Sequence, residues 1–518
     1  MNNQRDRSRG PLRAMLRRTI GLALAGGVLS LALGGIAVAL AKQPTVTAPL
    51  VFDGVTVIDV EHGRRIPLQR VVIVGNRIRT MGSMNTVRVP AGARVIAARG
   101  KYLIPGLWDM HTHSVNATDI FYPLFVANGI TGIRDASSTV PLDSLIMWRR
   151  EILAGTRVGP PRQILSGMAI DEARPCKRRK DSSLQGPIPF TVPLHTCVTD
   201  AADARHLVDS LKAAGADMIK TYALSRDMYF AIAAEARRIG IPFGGHDTST
   251  TAIEGADSGA SILDHIVTAG GLDDVLFLCV RLETANVKQC GQVAEHFRRH
   301  GTWWVPTLIA YTYGFDKQSE GGPSWYNLSL ASDTILARWN EFAHEFWADS
   351  VRLLDLRHGR VGVLKKASED HTTRADSDSC WVQKGILRMA HCVGMPILAG
   401  TDVVATGPFE SFIYNTKTMP PGFALHTELA IYVAEGLTPL EALQAATINA
   451  AKLLHGTDSL GTVAAGKLAD LVLLDADPLA DITNTTTIQG VVANGRYFDR
   501  GALDQLLADA RVKVKQKQ

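Results

Sequence analysis

Two histidines, His111 and His113, close one apolar stretch of this 518-residue chain. On an extended strand, residues two apart point to the same face, so both imidazoles would lie together. Imidazole nitrogen suits zinc and similar divalent ions. A His-x-His pair alone is weak evidence, and a single strand histidine is more often a packed or surface residue than a ligand. The pattern strengthens further along, where Lys220, His246, His265 and Asp402 each close a later apolar stretch. Core packing has no reason to place six such residues at six corresponding positions.

The elements that must carry them alternate short apolar strands with helical stretches, which reads as a parallel α/β fold. Eight candidate strands end near Asp109-Met110-His111, Gly132-Ile133-Arg134-Asp135, Ile164-Leu165-Ser166, Met218-Ile219-Lys220, Phe243-Gly244-Gly245-His246, Ile262-Leu263-Asp264-His265, Trp304-Val305-Pro306-Thr307 and Leu398-Ala399-Gly400-Thr401-Asp402. Eight such units fit a closed (β/α)8 TIM barrel, whose site forms at the C-terminal strand ends. Residues 50–100 read instead as short β-branched strands broken by Gly-Asn turns. The stretches 468–475 and 488–497 have the same character. These spacings predict a small β-sandwich built from 42–104 and 456–505 around a barrel spanning 105–455. The stretch 311–380, rich in Trp, Tyr and charge, is expected to be a helical insertion or lid.

The surrounding phrases add specificity. Ile104-Pro105-Gly106-Leu107-Trp108-Asp109-Met110-His111-Thr112-His113, Gly400-Thr401-Asp402, Gly436-Leu437-Thr438-Pro439-Leu440-Glu441-Ala442-Leu443 and Gly466-Lys467-Leu468-Ala469-Asp470-Leu471-Val472 all stand in the expected order. Over nearly all of 50–500 the chain resembles the binuclear amidohydrolase superfamily. It looks most like the prolidase-like, imidazolonepropionase-related branch, with its dipeptidases and ochratoxin-type amidases. The resemblance implies two divalent metal ions, zinc in the first place. His111, His113 and Asp402 would hold one and His246 and His265 the other, with Lys220 bridging them as a carbamate. A bridging hydroxide would attack the scissile carbonyl, and Asp402 would shuttle its proton to the leaving nitrogen. One departure is that His246 is followed by Asp247-Thr248-Ser249, which leaves the ligand intact but alters the pocket. Nucleobase deaminases do not fit: they lack the strand-four lysine and carry a glutamate soon after the strand-five histidine.

The implied reaction is hydrolysis of an amide or peptide bond in a small substrate, a dipeptide or N-acyl amino acid with a free carboxylate. Tyr222, two residues beyond Lys220, should face the barrel mouth and donate a hydrogen bond to that carboxylate, or else pack beneath the lid. Arg226 is a weaker source of charge there. An esterase, lactonase or organophosphate hydrolase is the nearest alternative, and a non-catalytic binding protein a more distant one.

Composition bounds the rest. Arg5, Arg7, Arg9, Arg13, Arg17 and Arg18 against Asp6 account for the whole formal charge of +5, so charge predicts no nucleic-acid partner. An uncharged apolar run from Ile20 to Ala41, ending Ala39-Leu40-Ala41, reads as a signal peptide spanning 1–41, or as an uncleaved anchor. Either places the body outside the cytoplasm, and cleavage would leave no membrane contact. A homo-oligomer is expected. The six cysteines show no CxxC spacing, and in an oxidising compartment they permit disulfides, though buried free thiols remain the alternative. Cys176 and Cys197 share a long Pro-rich, basic connection with little core of its own. A disulfide there would contribute roughly 3 kcal/mol in the chain-entropy account.

Overall fold

The computed structural model describes residues 48–113, 118–172, 195–246, 249–265, 279, 287–309, 386–404 and 421–517. The leader, Cys176 and the 311–380 stretch lie outside them.

Leu50–Asp59, Arg64–Val74 and Arg77–Ser83 form an antiparallel meander, as their β-branched content predicts. Arg94–Ala97 and Tyr102–Pro105 add to it in parallel with the first strand. The chain returns at its far end, where Leu471–Leu474 lies antiparallel to Tyr102–Pro105 and continues into Ile488–Ala493 and Arg496–Asp499. All eight strands are hydrogen-bonded into one mixed sheet drawn from both ends of the chain, not two separate sheets. Phe52, Val57, Val71, Ile73, Leu103, Leu471 and Val492 form its core. A helix, Arg500–Lys517, follows.

Between these ends run parallel strands in two further sheets, a TIM-barrel-type α/β arrangement. One contains Leu107–His113, Ile130–Asp135, Arg162–Leu165 and Val403–Val404; the other contains Ala169–Glu172, His195–Val198, Ile219–Thr221, Phe243–Gly245, Ile262–Asp264 and Trp303–Val305. The third expected strand is broken in two. Arg162–Leu165 pairs with the second strand, Gly167 turns at φ 71°, and Ala169–Glu172 then meets the fourth at Thr221. The eighth is broken as well: Ile397 bridges Trp304, whereas Val403 and Val404 pair with Thr112 and His113. His195–Val198 was not foreseen.

Helices cover the outside. Thr251 and Glu254 form a capping box on Ala252–Asp257, and Thr438 and Glu441 form another on Pro439–Ala445. Trp108, Met110, Ile164, Met218, Ile262, Val305 and Leu398, from or beside six of the parallel strands, form one buried cluster. Gly132 is required there, because a Cβ would sit 2.1 Å from the Trp108 ring.

Candidate metal centre

The ends of these strands converge. His111 and His113 close the first, and both approach Asp402 beyond the break in the eighth: His113 Nε2 lies 3.0 Å and His111 Nε2 3.4 Å from Asp402 Oδ1. His113 Nδ1–H donates to the Ser137 carbonyl at 2.9 Å, and Nε2 faces Asp402. The ligand atoms of His111, His113 and Asp402 lie within 4.8 Å of one another. The His265 ring is 4.5 Å from that of His111 and 4.2 Å from that of His246. His265 Nδ1 is fixed at 2.7 Å from the Thr307 hydroxyl, and Trp304 Nε1 donates to the His265 carbonyl at 2.7 Å.

Lys220 reaches the same cavity, and its ammonium donates to Asp264. Room for it comes from Gly245, where a Cβ would lie 2.3 Å from the Thr221 carbonyl and 2.8 Å from Lys220 Cδ. Asp264 also takes a bidentate pair from Arg134, at 2.8 and 3.1 Å. Arg134, Lys220 and Asp264 are all buried. Thus one carboxylate neutralises part of a two-cation cluster directly beneath the imidazoles.

Three non-glycine residues here have left-handed backbones: His265 at φ 72°, Thr307 at 49° and Asp402 at 57°. Such conformations cost of order 1–3 kcal/mol each and gather at functional sites. Asp109 stabilises the neighbouring turn, accepting from Thr401 N at 3.0 Å and the Thr401 hydroxyl at 2.7 Å. Behind it, Glu428 accepts the Leu308 and Ile309 amides at 2.8 and 2.6 Å.

The electrostatics suit cation binding. Burial pushes His111 down to about 3 and His265 down to about 4, and it holds His246 well below the usual imidazole range, so all three are neutral donors near pH 7. Burial alone would raise Asp402, but the hydrogen bond with His113 holds it below the ordinary carboxylate range. Burial also pushes Asp109 up to about 7 and Glu428 up to about 8.

The residues present fit a bound metal ion. Both ring nitrogens of His111 and Nδ1 of His246 are buried without a hydrogen-bond partner, a costly state for polar atoms. His111 Nδ1 does lie 3.1 Å from Asp264 Oδ1, but that contact lacks hydrogen-bond geometry. A divalent ion would satisfy the lone-pair nitrogen of each ring.

Tyr222 lies beside the cluster, its ring 4.6 Å from His246. Arg226 is engaged elsewhere, in a bidentate pair with Glu254 at 2.8 and 2.6 Å, so it has no charge to spare for the cavity. Asp264, Arg134 and Asp109 stood in the quoted strand ends without an assigned role. Their signal was proximity: each lies within two residues of a ligand or closes a neighbouring strand.

Comparison with known proteins agrees with this picture. The family model described as the amidohydrolase family matches residues 102–497. An imidazolonepropionase of Thermoplasma volcanium is 36% identical over 111 residues, 21% of this chain and only 24% of that relative. A prolidase solved with N-methylphosphonate-L-proline superposes with a TM-score of 0.57 at 22% identity, over 88% of this chain and all of the other. Aspergillus niger ochratoxinase gives 0.56 at 20% identity, over 87% of this chain and 96% of its own. At these identities the solved structures establish the fold.

Proposed function

Since the chain belongs to the amidohydrolase family, we propose that it is a two-metal hydrolase of amide or peptide bonds in small substrates, on a closed (β/α)8 barrel. The observation that carries this reading is the convergence of four imidazoles, Lys220 and Asp402, with buried nitrogens of His111 and His246 unpartnered. His111, His113 and Asp402 would hold one ion and His246 and His265 the other, with carboxylated Lys220 completing the donor set. Bound ions supply a polarised carbonyl and an activated water. Carboxylation joins the Lys220 nitrogen to CO2 with loss of a proton, and burial favours the neutral amine that reacts. Asp402 accepts the proton of the attacking water and returns it to the leaving nitrogen.

The substrate class is a dipeptide or N-acyl amino acid with a free carboxylate on the leaving side. The prolidase above was solved with a proline derivative that carries such a carboxylate, and Tyr222 stands beside His246 to receive one. Anchoring that end orients the scissile bond over the metals. The oxidised Cys279–Cys290 pair supports an exported protein.

The test compares free-acid dipeptides with their C-terminal amides, in wild type and Tyr222→Phe, with metal analysis alongside. Acids should be cleaved at least ~10-fold faster by an enzyme holding about two zinc-like ions per chain. Equal cleavage of acids and amides by wild type would sink carboxylate recognition. Active protein with one ion or fewer would sink the binuclear centre.

A further inference from the structure

A second group of metal-suited side chains lies on the outer helices. His296 and His300 are four apart on the helix Val287–His300 and share a face. Their rings stack at 18°, centroids 6.4 Å apart. Asp257, the last residue of the helix Ala252–Asp257, reaches across to both. Its Oδ1 lies 2.6 Å from His296 Nδ1 and 3.2 Å from His300 Nε2.

We propose that Asp257, His296 and His300 form a peripheral divalent-cation site, zinc being the best-suited ion, that staples the helix preceding strand six to the helix preceding strand seven. One ligand atom from each residue falls within 4.8 Å of the other two. A tetrahedral zinc ion with bonds of about 2.0–2.1 Å needs its ligands some 3.4 Å apart, so small rotations of exposed side chains complete the site. Two imidazoles and a carboxylate are a borderline-soft donor set suited to zinc. The His296, His300 and Asp257 side chains are 26%, 33% and 46% exposed, which leaves the fourth position open to water.

Both helices are held in place independently. Arg298 donates to the Val393 and Gly394 carbonyls at 2.7 and 2.8 Å. Cys290 is bonded to Cys279. On the other helix, Ala252–Asp257, the C-cap residue Ser258 donates to the Glu254 carbonyl at 2.7 Å. The ligands are therefore presented by fixed backbones, which lowers the ordering cost of binding.

The experiment titrates Zn2+ into wild type and into His296→Ala/His300→Ala, both first dialysed to constant metal content, by calorimetry and by thermal unfolding. These residues are outside the catalytic cluster, so the variant should keep its hydrolytic activity. Wild type should bind one equivalent more than the variant and gain a zinc-dependent rise in Tm that the variant lacks. Asp257→Asn should weaken that equivalent about 10-fold or more. Equal zinc uptake and equal Tm gain in wild type and double variant would overturn the site. Because the measurement is a difference, it holds whatever the count at the catalytic cluster.

Discussion

Asp264 shows what a single carboxylate can decide. It faces Arg134 and Lys220 from a fully buried position, so its removal would strand cations rather than merely delete a contact. Asp264→Asn should destabilise the fold by about 3–5 kcal/mol, the range for breaking a buried pair on one side. Urea unfolding measures this, and a change within experimental error would show that the cluster rearranges freely. Lys220→Ala should abolish most turnover, with partial rescue by short-chain carboxylic acids that replace the carbamate. Asp402→Asn should lose at least the roughly 10²–10⁴-fold typical of general acid–base groups. Near-wild-type turnover in either variant contradicts the roles assigned to them. The six cluster residues were legible because they close strands within specific phrases. Asp264 was not, since strict alternation sends Asp264 and the adjacent His265 to opposite faces. The left-handed turn at His265 lets both serve one cavity, and nothing in a histidine advertises such a backbone.

The helix Phe423–Ala434 adds a pH dependence at the level of whole elements. His426 Nε2–H donates to the Asn128 carbonyl at 3.0 Å, and Nδ1 lies 2.9 Å from the Thr485 hydroxyl, so three segments meet on one neutral imidazole. Burial pushes it down to about 4, against roughly 6.5 when unfolded. A depressed folded value means that the unfolded chain binds the proton first. The contribution is therefore complete above pH ~6.5 and is lost as pH falls towards 4, about 3 kcal/mol in all. Unfolding free energies of wild type and His426→Gln at pH 7, 5.5 and 4.5 test this. Their difference should shrink with acid, and a constant difference refutes it. Element types were legible from period and β-branching, but the breaks in strands three and eight were not. Those breaks follow from closing hydrogen bonds towards two neighbours at once, a tertiary demand with no local residue pattern.

Across the whole molecule, oxidation adds covalent links to the packing. Cys279 and Cys290 are joined, and Cys197 and Cys392 are disulfide-bonded as well. Peptide mapping without reduction should recover Cys176 linked to Cys197; free thiols at both would refute that pairing. The Cys279–Cys290 pair was not foreseen, since six cysteines permit 15 pairings and spacing does not choose among them.

His113 and Asp402, 3.0 Å apart, are separated by 289 positions in the chain. At the usual pace of synthesis, about 5–20 residues per second, the histidines precede that aspartate by roughly 15–60 s. Tyr102–Pro105 must wait longer still for Leu471–Leu474. During that interval the nascent chain offers imidazoles without the carboxylate that completes their geometry. An ion captured then would be held by donor type alone. Any choice among ions by the shape of this cluster therefore waits for Asp402 to join the histidines.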